Sequence, residues 1–185
     1  MNYNQFLKQK NFDLPQLIAF SYGRLVSDPP SDFDARLPAP PFLMIDRIVS
    51  LEANGNKGSI IAEQDIRLDA WYFQCHFPQD PVQPGCLGVD AVWQLLGFYG
   101  VWKGALGAGR ALGCEEVVFS GQIRPFNRVV RFEIDILRFR LMKSSGSAVL
   151  VADATILADG AAVATIKKAR AGIFKGIADG NYPRL

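Results

Sequence analysis

Residues 84 to 102, PGCLGVDAVWQLLGFYGVW, make a helix-length run that is apolar nearly all the way round. Leu87, Val89, Ala91, Val92, Trp93, Leu95, Leu96, Phe98 and Tyr99 leave no polar face. In water such a helix has to be enclosed by the rest of the chain. A length of 185 residues suits one domain with a sizeable core. The flanking pattern supplies the enclosure. FLMIDRIVSLE and KGSIIAEQDI read as two strands, with ANGN as the hairpin turn between them. Four more strand-like segments follow, over 111–121, 126–141, 147–158 and 162–174. The long one changes its apolar phase between Ile136 and Leu137, which predicts a β-bulge there. Two strands, one enclosed helix and four antiparallel strands fit an α+β fold, a curved antiparallel sheet wrapped around one long apolar central helix. That architecture points to a hot-dog fold.

The boundaries follow from composition. Residues 1–35 read as an N-terminal arm with an amphipathic helix over Leu14 to Leu25, then a proline-broken loop. Residues 36–175 are the core, and 176–185 a tail. The whole is a single hot-dog domain, residues 1–185. GALGAGRALG (104–113) has the wrong spacing for a phosphate loop and follows a helix instead of opening one, so it reads as the exit loop of the long helix.

Several function classes drop out. A net charge of +2 argues against a dedicated nucleic-acid binder. No stretch reaches the roughly 20 apolar residues of a membrane span. The N-terminus has no signal-peptide pattern. Cys75, Cys86 and Cys114 cannot all pair within the chain and show no CxxC spacing, so reduced thiols in a cytoplasm are expected. One histidine and scattered cysteines do not suggest a zinc site.

The chemistry-bearing residues cluster around the helix. His76 is the chain's single histidine, and Asp90 interrupts the apolar run. An imidazole can take a proton; a carboxyl enclosed without a cation favours its protonated form and can give one. That pairing suits an elimination, in which one proton leaves carbon as another reaches a departing oxygen. Gly85 stands where the helix begins, so its N–H could meet a carbonyl oxygen with help from the helix dipole. Against this stand structural readings: Asp90 as a helix cap or core hydrogen-bond partner, His76 as an ordinary half-buried histidine, Cys86 as a small core residue.

HFPQDPVQPGCLGVDAVWQLLGFY (76–99) closely resembles the active-site segment of the bacterial 3-hydroxydecanoyl-acyl-carrier-protein dehydratase/isomerases of fatty acid synthesis. LPAPPFLMIDRIV, WYFQCHF, GRALGCEEVVFSGQIRP and ARAGIF extend the likeness in order, from about residue 36 to 175. The resemblance implies that His76 removes the C2 proton of a (3R)-hydroxyacyl thioester and that Asp90 protonates the departing hydroxyl. It implies that the Gly85 N–H binds the thioester carbonyl and that Cys86 lies beside the site without acting as a nucleophile. Val82, Gln83, Phe77, Trp93 and Gln94 fall near the site. Gln83 departs from the family's usual apolar methionine. An aspartate at position 90 followed by Trp93-Gln94 matches the subgroup that also isomerises trans-2-enoyl to cis-3-enoyl products.

The resemblance further implies a homodimer whose two sites each combine one subunit's histidine with the other's aspartate. It implies an acyl carrier protein as partner and no cofactor. The carrier is acidic, so Arg138, Arg140 and Lys143, with Lys167, Lys168 and Arg170, are candidate docking residues. A dehydratase without isomerase activity, a hot-dog acyl thioesterase and a non-catalytic acyl-binding module are the competing readings.

Overall fold

A computed structural model of the chain describes residues 1–177. The tail expected over 176–185 therefore lies, beyond Ile177, outside the described residues. Among the described residues seven antiparallel strands form one sheet: β1 (Arg47–Asn54), β2 (Lys57–Asp65), β3 (Ala108–Gly113), β4 (Glu116–Phe119), β5 (Val129–Met142), β6 (Ser147–Ala158) and β7 (Ala161–Phe174), in the order β1-β2-β5-β6-β7-β3, with β4 also paired to β7. This sheet is consistent with a hot-dog fold.

Local sequence explains its turns and kinks. Asn54 pairs with Lys57, so Gly55 and Asn56 make a two-residue hairpin turn, and Gly55 takes the positive φ of 62° that the turn needs. The expected bulge is present: the β5–β6 register shifts between Ile136 and Arg138, leaving Leu137 unpaired. Up to Ile136, β5 also pairs with β2; beyond the bulge only β6 continues. The segment read as one strand over 111–121 is two short strands, and β3 begins inside the expected exit loop, at Ala108.

Helix α3 (Gly85–Trp102) lies against this sheet, and twelve of its 18 residues are buried. The N-terminal residues supply a second cover. Helices α1 (Tyr3–Lys8) and α2 (Leu14–Ser21) both begin with a capping box, Asn2 with Gln5 and Asp13 with Gln16. The α1 helix had no sequence expectation, and α2 stops four residues short of the expected Leu25. Phe6, Phe12 and Phe20 bring their rings to within 5.8, 4.9 and 4.9 Å of Phe98 on α3. Trp102 Nε1 donates to Gln9 O at 2.8 Å. Residues 1–35 are thus part of the core, with Phe6 and Leu17 fully buried.

Between the two covers one stripe of α3 stays open. Cys86 is exposed, and Val89, Asp90, Trp93 and Gly97 are half-buried. Their spacing of three and four residues defines a single helix face. The helix is not enclosed all round by its own chain.

Candidate active site

His76 sits on an irregular segment between a 3₁₀ turn (Trp71–Gln74) and α3. Its backbone N–H donates to Tyr72 O at 2.9 Å, and Val82 N–H donates back to His76 O at 2.8 Å. The His76–Phe77 peptide is cis. The imidazole is clamped on two sides. Phe77 stacks on the ring at 3.9 Å, and Nδ1 lies 2.9 Å from Val82 O. A carbonyl oxygen can only accept, so Nδ1 carries the proton and Nε2 is left as the basic nitrogen. Arg124 secures the loop from outside, bonding Asp80 and Pro81 O.

The ring faces a cavity of about 420 Å³ lined by Val82, Gln83, Gly85, Cys86, Phe119 and Ile156, among others. Helix α3 starts at its wall with Pro84 as N-cap and no side-chain cap. First-turn N–H groups have no intrahelical partner, so those of Gly85 and Cys86 are available to an oxygen here. Gly85 also has a steric reason to be glycine: a Cβ would stand 2.6 Å from the Phe119 ring. The roof of the cavity is Phe119, 56% exposed on β4.

Asp90 is one and a half turns further along α3 and faces elsewhere. It lines a groove of about 380 Å³ with Phe20, Arg36, Phe42, Trp93, Gln94 and Arg110. That groove shares no lining residue with the His76 cavity. The expectation of an enclosed acid is corrected within the single chain. Asp90 is half-buried, because the open stripe of α3 carries it, and the fold brings Arg36 and Arg110 to its groove.

Gln94 holds the carboxylate. Its Nε2 donates to Asp90 Oδ2 at 2.7 Å and to Phe42 O at 2.9 Å, while its Oε1 accepts from Met44 N–H at 3.1 Å. The Met44 bond fixes which end of the amide is oxygen. Trp93 Nε1 donates to Arg170 O at 2.9 Å, tying the same helix face to β7.

The structure thus gathers His76, Phe77, Val82, Gln83, Gly85 and Cys86 at one place and Asp90, Trp93 and Gln94 at another. Arg138, Arg140 and Lys143 are exposed near the end of β5 where Met142 pairs with Ser147. Cavity-lining Ile156 pairs with Phe132 near the other end. At about 3.3 Å per residue, some 20 Å of strand separates Arg140 from the His76 cavity. Phe119, Arg124, Arg36 and Arg110 had no sequence signal, because each reaches its place through a distant strand or loop. The three cysteines are free thiols. Among the described residues no cluster of metal-ligating side chains occurs, and no helix is long and apolar enough to cross a membrane.

Comparison with known proteins places this arrangement. Residues 37–167, which hold His76, Gly85 and Asp90, match the FabA-like domain. The chain belongs to the FabA-like family. Its backbone resembles the dehydratase heterocomplex ApeI:P of Xenorhabdus doucetiae, with a TM-score of 0.54 and 16% identity over 75% of this chain and 86% of that one. A lesser likeness is to an isomerase-inactive variant of GphF DH1, with a TM-score of 0.46 and 17% identity over 76% of this chain and 45% of that one. Another is to a hypothetical thioesterase of Streptococcus pneumoniae TIGR4 with coenzyme A, with a TM-score of 0.45 and 13% identity over 69% and 83%. At 16% identity the likeness to the ApeI:P heterocomplex speaks for the fold alone. Family membership rests on the match over 37–167.

Proposed function

We propose that this FabA-like protein dehydrates (3R)-hydroxyacyl chains on acyl carrier protein to trans-2-enoyl thioesters and isomerises them to cis-3-enoyl products. It would serve unsaturated fatty acid synthesis in a bacterial cytoplasm. The observation that carries the reading is the clamped imidazole: with Nδ1–H held by Val82 O, Nε2 faces the substrate as a base. Nε2 takes the C2 proton, and the C–H electron pair becomes the C2=C3 bond. The C3–O bond breaks as Asp90, enclosed and kept protonated once the partner subunit covers its groove, gives its proton to the departing hydroxyl, which leaves as water. Charge developing on the thioester oxygen meets the N–H of Gly85 at the start of α3. His76 ends protonated and Asp90 ionised, and one proton passed back between them resets the site. Isomerisation needs only proton removal at C4 and return at C2, both within the repertoire of His76.

Because one chain keeps His76 and Asp90 in separate cavities, the working unit is a homodimer in which one subunit's His76 faces the other's Asp90. The edge of the sheet supports this. Leu112 on β3 and Val118 and Phe119 on β4 are 50, 44 and 56% exposed. An apolar strand edge of that kind invites pairing with a second copy. Both cavities border this edge, the Asp90 groove through Ala108–Ala111 and the His76 cavity through Phe119.

The test is incubation with a (3R)-hydroxydecanoyl thioester and product analysis by chromatography and mass spectrometry, beside His76→Ala and Asp90→Asn. Both trans-2 and cis-3 decenoyl thioesters are expected, and neither from the variants. The trans-2 product alone would remove the isomerase assignment. Free acid or unchanged substrate would overturn the dehydratase.

A further inference from the structure

A glycine inside a helix is disfavoured relative to alanine, so each one calls for a reason. Packing supplies it at two positions of α3. A Cβ at Gly88 would lie 3.3 Å from Ile156 Cδ1, and one at Gly100 would lie 2.1 Å from Ile173 Cδ1. Gly97 has no such reason, since a Cβ there would meet nothing within 4 Å among the described residues. What Gly97 lines is the groove of about 380 Å³ that also holds Asp90. The strand β3 crosses close by, with a Cβ built at Gly109 only 3.7 Å from the Gly97 Cα. A side chain at 97 would therefore narrow a passage that the glycine leaves open.

The α3 side of the groove runs Asp90, Trp93, Gln94, Gly97, Phe98, Val101, and past Gln94 it carries no polar side chain. Asp34, Arg36 and Arg110 also line the groove. Both arginines are exposed and donate to the carbonyls of Ala35 and Gly109, and Asp34 is half-buried. At 1.5 Å of rise per residue, Gly97 stands about 10 Å beyond Asp90 and Val101 about 16 Å beyond it. An extended alkyl chain advances roughly 1.3 Å per carbon, from C–C bonds of about 1.5 Å. With C3 at Asp90, the tenth carbon reaches about 9 Å, level with Gly97, and longer chains must pass over it. We infer that Gly97 is a specificity-determining residue that keeps the Asp90 groove open to hydroxyacyl chains longer than ten carbons. The inference rests on the dehydratase reading and assigns the tail to the α3 that supplies Asp90, while the thioester end stays with His76 and Gly85 of the other subunit.

The experiment offers (3R)-hydroxyacyl thioesters of six to fourteen carbons to the native protein, Gly97→Ala, Gly97→Val and Ile156→Phe, and reads kcat/KM. The native protein should use twelve and fourteen carbons about as well as ten. Each methylene that loses its burial forfeits about fourfold. Gly97→Val should therefore fall about tenfold at twelve carbons and about 10²-fold at fourteen, with six and eight at native values. Gly97→Ala should fall between the two, and its better helix propensity should raise the unfolding temperature. A lower unfolding temperature would mean that the chain's own packing needs the glycine, which overturns the inference. An unchanged length profile in Gly97→Val overturns it, as does an equal loss at every length. Loss of the dimer in Gly97→Val overturns it by giving the open space to the partner subunit. A cut-off moved by Ile156→Phe alone overturns it by placing the tail in the His76 cavity. If no length is dehydrated, the dehydratase reading fails separately. Calorimetric binding of saturated acyl thioesters of the same lengths then decides for Gly97: a cut-off shortened by Gly97→Val supports its role, and an unmoved one overturns it.

Discussion

His76 and Asp90 are held in opposite ways. His76 belongs to an irregular loop and is fixed by main-chain atoms: Tyr72 O and Val82 N–H hold its backbone, and Val82 O its ring. Asp90 belongs to a regular helix and is fixed by a side chain, Gln94, which is itself held by Phe42 and Met44. A loop histidine needs a main-chain clamp because no neighbouring helical turn supports it. A helical aspartate already has its backbone position and needs only its carboxyl oriented. Apart from the stacked Phe77, the supports of His76 are main-chain atoms that no side-chain replacement removes, whereas the Asp90 carboxyl loses its partner with the single residue Gln94.

The largest effect tests whether the two halves belong to different subunits. His76→Ala and Asp90→Asn should each lower kcat by about 10²–10⁴-fold. Mixed by unfolding and refolding together, the two variants should regain about a quarter of native activity, since half of the random dimers hold one intact site of two. No recovery, with heterodimers shown to form, would place both groups of a site in one chain.

Next in size is Gln94→Leu. It frees the Asp90 carboxyl and leaves Phe42 O and Met44 N–H unpaired, so kcat should fall about 10²-fold and stability by about 1–3 kcal/mol. Steady-state kinetics and denaturant unfolding read the two separately. A variant that keeps native kcat would remove Gln94 from the positioning of Asp90.

Arg124→Met probes the other half and should do less. Arg124 holds the His76 loop at Asp80 and Pro81, but the imidazole keeps its own clamp. The expected kcat loss is about tenfold or less, and the lost ion pair, whose carboxylate is exposed, costs at most about 1 kcal/mol. A loss as large as that of Gln94→Leu would erase the contrast drawn between the two supports.

The smallest effect is in alkaline solution, and each half contributes one group. Burial pushes both Tyr72, whose carbonyl accepts from the His76 N–H, and Tyr99, on α3, up to about 12. The unfolded phenols ionise near 10. Above pH 10 the unfolded chain therefore releases protons that the folded chain retains, so stability is full below 10 and falls toward 12. The loss is up to about 2–3 kcal/mol per tyrosine. Tyr72→Phe and Tyr99→Phe should each flatten the decline in unfolding free energy across that range. An unchanged slope in both would assign the alkaline limit to other groups.

Much of this was legible in residues 75 to 99. The bounds of α3, the irregular, proline-containing segment ahead of it and the order His76, Gly85, Asp90 all appear there, since helix and turn signals are short-range. The bulge in β5 was legible for the same reason, because the two-residue period of a strand records a slip of phase directly. The α1 helix was not. Only Phe6 within it is buried, and one buried ring makes no periodic signal. Arg124, Phe119, Arg36 and Arg110 were equally invisible, since strand pairing or long loops bring them to the site from far along the chain.

The sequence by itself determined the bounds of α3, the hairpin and the three long strands after it, and which residue types stand around the start of that helix. Hydrophobic period, capping residues and turn residues are short-range and leave their mark in the order of residues. The tertiary structure alone decided what covers each face. It set residues 1–35 over one side of α3 and the sheet over another, left the stripe through Asp90 open in a groove that Arg36 and Arg110 also line, and buried Gln83 with its Oε1 unpartnered among the described residues. A residue's environment is set by whichever distant segment packs against it, and periodicity along one segment carries no record of that choice.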